Sequence, residues 1–167
     1  MFTLFNVVSS DGFIADQDGR EDFIPEELWP NFLDLCMHYG AIVMGRKTYD
    51  ALQKYPDALL DPFESLEIPK IVISADDAFQ PKSGYSVLHS PAEALSRFPN
   101  ALVSSGPILN TALLRAHMVG RVIQHELPVA IGRGILPFDP ECVTLIPEQN
   151  VPEPRGATVR YFTAWSK

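Results

Sequence analysis

The chain has 167 residues, enough to bury about two thirds of its unfolded surface around one core without disulfides or a metal. Hydrophobic residues make up 46% and charged residues 20%, which argues against a disordered or fibrous chain. The net charge of −8 argues against a general nucleic-acid or anionic-membrane surface, which needs clustered Lys and Arg, so any anion must be met locally.

In chain order, Phe2 to Val8 (FTLFNVV) is rich in β-branched and aromatic residues and stops at the turn signal SSDG, which predicts a buried first strand. A polar, glycine-punctuated loop follows, with an apolar insert at Phe13 and Ile14 that a wholly solvated loop would not need. Trp29, Phe32, Leu33, Cys36 and Met37 recur at helical spacing, with Pro30 suited to a first turn and Gly40 to a C-cap. Ala41 to Met44 reads as the second strand and Thr48 to Leu52 as the start of a second helix.

Lys70 to Ser74 (KIVIS) and YSVLH are the next strands. A helix over SPAEALSRF follows, with Ser90 as N-cap and Pro91 at its first position. NALVSSG ends a fifth strand and PILNTALLRAH is a helix opened by Pro107. RVIQHELPVAI is a sixth strand, GRGILPF a glycine-rich turn and ATVRYFTAW a last strand. Strands alternate with helices up to about residue 120, which implies parallel strands with right-handed crossovers; only strands follow, which implies an antiparallel closing hairpin. The expected fold is a single α/β domain over residues 1–167, three layers around a mixed, mostly parallel sheet.

No repeat or linker divides the chain, and no Cys/His spacing suggests a metal site. Cys36 and Cys142 read as reduced, packed thiols, and the N-terminal segment lacks the charged start of a signal peptide. No apolar run approaches a membrane span. A cytoplasmic protein is expected.

The stretch AIVMGRKTYDAL carries the chemistry. A buried strand runs up to Gly45, and Arg46, Lys47 and Thr48 follow at the start of a helix. In an open α/β sheet, ligands bind where strands end and helices begin, and helix-start amides with paired cations suit a phosphate. The competing reading is two solvated cations and a capping threonine. Gly40, Gly45, Lys47 and Thr48 imitate the spacing of a nucleotide-triphosphate P-loop, but the intervening residues are strand-like and Arg46 intrudes. A second strand–helix junction is Ser104-Ser105-Gly106, and a third is Ser74. Such junctions read as the extended footprint of a dinucleotide, without the G-x-G-x-x-G fingerprint of the standard Rossmann fold.

In that order, NVVSSDGFIA, IVMGRKTYDAL, KIVIS, LVSSGPILNTALL and ELPVAIGRGILPF resemble the dihydrofolate reductase-like superfamily. The likeness is to its branch related to the reductase domain of bacterial riboflavin biosynthesis, the C-terminal domain of the bifunctional deaminase-reductase. The resemblance implies a cytoplasmic, NADPH-dependent oxidoreductase that transfers a hydride to a small heterocycle or ribosylamino-pyrimidine, and a homodimer. It implies that Gly45, Arg46, Lys47 and Thr48 hold cofactor phosphates and that Ser74 lies near the adenosine ribose or its 2′-phosphate. Ser104, Ser105, Gly106, Pro107, Ile108 and Leu109 would wrap the pyrophosphate, and Val7 and Ile14 would line the nicotinamide. The chain departs from the pattern at Ser104-Ser105, where many members have paired glycines, and at Gly120-Arg121, where an Asp-Glu pair is common.

For catalysis, folate reduction in this superfamily uses a buried carboxylate from the first helix region, for which Glu27 aligns best; the alternative is an exposed acid beside a helix start. Asp11 in SSDG is either an acid near the nicotinamide or a turn former. Phe23, Trp29 and Phe32 are candidates to stack on a flat substrate or to pack the core, and Gln124 either looks into the substrate pocket or pairs with backbone. The four histidines show no spacing that suggests joint work. Two other functions compete: true dihydrofolate reduction, and a catalytically silent NADPH-binding module.

Overall fold

The computed structural model describes residues 1–166. Six strands, β1 (Phe2–Ser9), β3 (Ile42–Gly45), β4 (Lys70–Ile73), β5 (Ser86–Leu88), β6 (Leu102–Val103) and β7 (Val119–Leu127), pair in parallel. The last pair, β9 (Val143–Pro152) and β10 (Thr158–Ser166), is antiparallel, and β10 also runs antiparallel to β7. The eight-stranded order is β5-β4-β3-β6-β1-β7-β10-β9. This is the mixed, mostly parallel sheet with a closing hairpin that the strand–helix alternation predicts.

Helices α1 (Trp29–Tyr39), α2 (Arg46–Leu52) and α3 (Asp57–Glu64) cover one face, where Cys36, Leu52 and Phe63 meet Phe5, Ile42, Val72 and Ile123. Helices α4 (Pro91–Arg97) and α5 (Pro107–Arg115) cover the other, where Ala94, Leu109 and Leu113 meet Leu4, Val43, Ile71 and Val122. Parallel strands buried on both faces need near-continuous apolar runs, and KIVI and IVM supply them. Among the described residues no helix is long and apolar enough to cross a membrane.

Local signals act as expected at Gly40, which closes α1 in the left-handed conformation at φ 68°, and at Pro30 and Pro107, which sit in first helical turns. Ser90 holds the N-cap position of α4, but its side chain makes no capping hydrogen bond. The second helix starts at Arg46 rather than Thr48, so both cations belong to its first turn.

Three elements lie outside what the sequence predicts. Helix α3 carries Pro62 in its last turns, where a missing amide disguises a helical pattern. Strand β9 is exposed along most of its length and offers no clean apolar alternation. A small two-stranded sheet pairs β2 (Ala15–Asp16) with β8 (Gly134–Ile135), joining the polar loop to the glycine-rich turn. A Cβ at Gly134 would lie 2.2 Å from the Ala15 carbonyl oxygen, so only glycine permits this pairing.

Candidate functional site

Strands β4, β3, β6 and β1 are adjacent, so the expected junctions at Ser74, Gly45 and Ser104-Ser105-Gly106 lie side by side along one edge of the sheet. This edge holds the carboxyl ends of the parallel strands, where such sheets bind ligands.

Gly45 is pressed against the start of α5: an added Cβ would lie 3.1 Å from the Ser105 hydroxyl and 3.6 Å from Leu109 Cβ. The Gly45 amide donates to that hydroxyl at 3.1 Å, and Thr48 Oγ1 lies 3.3 Å from it. What approaches the Gly45 backbone here is thus a serine side chain of the protein. Ser105 therefore has a structural task, and a phosphate at Gly45 must compete with it for the amide.

The Ser105 carbonyl in turn accepts from Asn6 Nδ2 at 3.0 Å and Asn110 Nδ2 at 2.8 Å. Asn110 Nδ2 also reaches the Pro137 carbonyl at 2.8 Å and, at 3.2 Å, Asn6 Oδ1. Both asparagines are buried, so this network pins the β6–α5 junction to β1 and to the segment at residue 137. Neither is among the expected site residues, although a lone Asn inside FTLFNVV and another inside PILNTALL are visible signals of a buried polar clamp.

The two cations differ. Arg46 Nε donates to both carboxylate oxygens of Asp50 at 2.9 Å, and its guanidinium lies 3.7 Å from the Phe79 ring centroid. Asp76 stands 3.8 Å from the same guanidinium. Lys47 is exposed and enters no ion pair among the described residues. Lys47 is therefore free to meet a phosphate, whereas Arg46 must share its charge.

Ser74 is buried and its hydroxyl accepts from the Asp76 amide at 3.1 Å, so it shapes the turn that carries Asp76 and Asp77. In α5, Gly106 occupies the N-cap, no side chain caps the helix, Leu109 packs inward and Ile108 faces solvent. The uncapped α5 start and Lys47 fit a diphosphate.

Val7 and Ile14 join different clusters. Ile14 packs with Val8, Ala15 and Ile135, whereas Val7 belongs with Phe5 on the α1 face.

Asp11 is fully engaged. Its carboxylate accepts from the Ser9 hydroxyl at 2.6 Å and from the amides of Ile131 and Gly132 at 3.2 and 2.7 Å. The serine bond, with the two amides, holds the carboxyl below the usual carboxylate range, which suits a loop clamp better than a proton donor.

Glu27 lies in a 3₁₀ turn, Glu26–Leu28, and is exposed. It lines an open groove of about 670 Å³ with Glu26, Trp29, Leu33 and Leu59. Glu27→Gln should change stability by about 0.5 kcal/mol or less and leave turnover intact; a large loss of dihydrofolate reduction would reverse that assignment.

Trp29 and Phe32 pack the core. Phe32 stacks on Phe5 at 5.8 Å, Trp29 lies 5.2 Å from Phe32, and the indole donates to the Leu59 carbonyl at 2.7 Å. Phe23 is half-buried. Gln124 does not join the aromatic residues: it pairs with Asn6 on β1, so it shares the α5 face, while its neighbours Ile123 and His125 occupy the α1 face.

His125 is a titratable group on that face which no sequence signal singles out. It is buried, and its Nε2 lies 3.1 Å from Glu153 Oε2. Burial holds the imidazole below its usual pKa, with Glu153 pulling the other way.

No protein-family model matches the sequence, and no curated protein matches it significantly. Solved structures do. A protein from Shewanella sp. PV-4 described under riboflavin biosynthesis superposes with a TM-score of 0.76 at 17% identity, over 98% of both chains. The diaminohydroxyphosphoribosylaminopyrimidine deaminase/5-amino-6-(5-phosphoribosylamino)uracil reductase of Thermotoga maritima gives 0.70 at 14% identity, over 99% of this chain and 56% of that one. This chain thus spans about half of the Thermotoga protein. Dihydrofolate reductase from Enterococcus faecalis, solved with NADP(H), gives 0.66 at 15% identity over 98% and 96% of the two chains. The chain has the dihydrofolate reductase-like fold, and its structural neighbours are of the riboflavin and folate types.

Proposed function

We propose that this chain is an NADPH-dependent reductase that transfers a hydride to a small heterocycle of the ribosylamino-pyrimidine type, as in the reductase step of riboflavin biosynthesis. The observation that carries the reading is the alignment of the Ser74, Gly45 and Ser104–Gly106 junctions on adjacent strands, in a fold shared with an NADP(H)-bound reductase. When bound, the nicotinamide supplies the hydride. The chain's own residues bind and align: Lys47 and Arg46 meet phosphate charge, the start of α5 offers uncapped amides, and the Asn6–Asn110 clamp fixes the junction between them. The folate alternative requires a buried carboxylate from the α1 region, and Glu26, Glu27 and Asp34 are all exposed. The silent-module alternative draws on Ser105, whose hydroxyl occupies the Gly45 amide. Following NADPH absorbance with the ribosylamino-uracil and with dihydrofolate separates the three. Oxidation with the first supports the proposal, oxidation only with the second makes this a folate enzyme, and NADPH binding without turnover leaves a module.

NADPH should bind more tightly than NADH. Asp76 works against this, because its carboxylate competes for Arg46 and repels a 2′-phosphate. Asp76→Asn should therefore widen the preference, read as the ratio of the two dissociation constants; equal binding of both nucleotides in both proteins would remove the 2′-phosphate from the account.

The proposed assembly is a homodimer. Strand β9 is one of the two edges of the sheet, and Ile146 and Trp165 are 48% and 68% exposed on the closing pair. Light scattering at micromolar concentration should give twice the monomer mass; a monomer contradicts the assembly. A cytoplasmic setting is part of the proposal, and Cys36 and Cys142 are both buried, packed as small apolar side chains.

A further inference from the structure

We infer that Phe79 is a positioning residue for the cofactor's 2′-phosphate: its ring holds the Arg46 guanidinium beside the turn that follows Ser74, and so sets the preference for the phosphorylated nucleotide. The inference rests on the reductase reading above and adds to that site a loop residue that no sequence signal singles out.

The turn after β4 delivers the ring. The Ser74 hydroxyl accepts from the Asp76 amide at 3.1 Å, and Asp76 Oδ1 accepts from the Ala78 amide at 3.0 Å. The Phe79 amide then donates to the Asp76 carbonyl at 3.1 Å. The half-buried ring is seated on α2. It meets Tyr49 edge to face at 5.5 Å, and Arg46 Cζ stands over its face, 3.7 Å from the centroid. Arg46 and Tyr49 are three residues apart on α2, so one helix face grips one ring. Tyr49 is buried and firmly held: its hydroxyl accepts from the Lys82 amide at 3.0 Å, and its ring meets Tyr85 at 5.0 Å.

The ring acts on Arg46 differently from the carboxylates around it. Both oxygens of Asp50 accept from Nε at 2.9 Å. Asp76 stands 3.8 Å from Nη1, too far for a hydrogen bond. Nη1 and Nη2 therefore make no hydrogen bond among the described residues. A ring face attracts the cation without engaging its N–H groups as an oxygen does. The unengaged donors suit a phosphate monoester, which a guanidinium can meet with two parallel hydrogen bonds.

Order is the second effect. The Arg46 side chain is 40% exposed, and an arginine that open to water would spread over many rotamers. Asp50 fixes the Nε side and Phe79 covers a face, so the group is arranged before a ligand arrives, which lowers the cost of binding. Leucine would fill the loop position equally well but offer the cation no ring face.

The test uses the full chain with adenosine 2′,5′-bisphosphate and adenosine 5′-monophosphate as probes, which differ only in the 2′-phosphate. The parent protein should bind the bisphosphate more tightly. Phe79→Leu should lose about 2- to 5-fold in affinity for the bisphosphate and none for the monophosphate. Phe79→Tyr, which keeps the ring face, should bind both as the parent does. In an Arg46→Ala background Phe79→Leu should have no further effect, a result that a merely structural ring would not give. The parent also carries its own reporter. The Arg46 Nε–H resonance, assigned by its absence in Arg46→Ala, should be displaced by the ring current of Phe79. It should move when the bisphosphate is added and stay when the monophosphate is added, and this decides the matter if Phe79→Leu fails to fold. An equal loss for both nucleotides, an additive loss in Arg46→Ala, or a parent that binds the two nucleotides equally overturns the inference; NADPH oxidation with the ribosylamino-uracil would then leave the reductase reading standing. A Phe79-dependent preference for the bisphosphate in a protein that oxidises no NADPH overturns the reductase reading instead and leaves Phe79 in its role.

Discussion

Asn110→Leu should destabilise the protein by about 2–3 kcal/mol and weaken dinucleotide binding with it. Asn110 is fully buried, and its amide nitrogen serves the Ser105 and Pro137 carbonyls, both at 2.8 Å. Its two hydrogens go to these closer acceptors, and the 3.2 Å approach to Asn6 Oδ1 is a shared, weaker one. The orientation is set by this environment, because a flipped amide would place its oxygen against two carbonyl oxygens. Leucine leaves the Pro137 carbonyl without its donor, while Ser105 keeps Asn6. Some of the cost is offset, because Asn110 Oδ1 has no partner to lose. In a chain of this size the melting temperature should fall by about 4–12 °C. Asn110→Asp is the sharper variant: a buried carboxylate facing the same carbonyls should destabilise more than leucine does. If leucine is neutral, the clamp does not hold the junction.

Phe63→Ala should cost about 3–5 kcal/mol, read as a lower urea midpoint at unchanged slope. Phe63 is 0% exposed and sits under the α1 face, 6.1 Å from the stacked Phe32 ring and 6.2 Å from Trp29. Lys70 Nζ lies 5.8 Å from its ring centroid, and the same ammonium donates to the Leu66 carbonyl. Removing the ring opens a cavity among groups that cannot collapse onto it, since Phe32 is held by Phe5 and Trp29 by the Leu59 carbonyl. A loss under about 1 kcal/mol would mean that α3 is only loosely docked.

The parallel half of the sheet was legible because buried strands such as KIVI and IVM are nearly continuous apolar runs bounded by glycine or serine. The edge where the Ser74, Gly45 and Gly106 junctions line up was legible for the same reason, since each of them follows such a run. Parity on β7 was not. Gln124 and His125 are neighbours in sequence, and a strand sends them to opposite faces; only the register with Phe5 and Asn6 says which one joins α1. The engagement of Arg46 was equally hidden. Asp50 lies one helical turn on, at the spacing of a helix pair, but Asp76 and Phe79 come from a different strand–loop unit. Asp11, which in sequence reads equally as an acid near the nicotinamide or as a local turn former, ties two loops that are 120 residues apart. The aromatic residues Trp29 and Phe32 show the limit of composition: stacking on a ligand and stacking on Phe5 and Phe63 call for the same side chains.

The central claim is that a dinucleotide lies across the junctions at Ser74, Gly45 and Ser104–Gly106. Titrating NADPH into the protein and following nicotinamide fluorescence tests it most directly, with the Arg46→Ala/Lys47→Ala variant measured alongside. Removing each charge-assisted hydrogen bond to phosphate should cost about 1.5–3 kcal/mol, at the lower end for Arg46 because Asp50 already shares its charge. The account predicts saturable binding by the parent protein and a dissociation constant at least about 10-fold weaker in the double variant, with the far-ultraviolet spectrum unchanged. No saturable binding by the parent, or the same dissociation constant in both proteins, would contradict it.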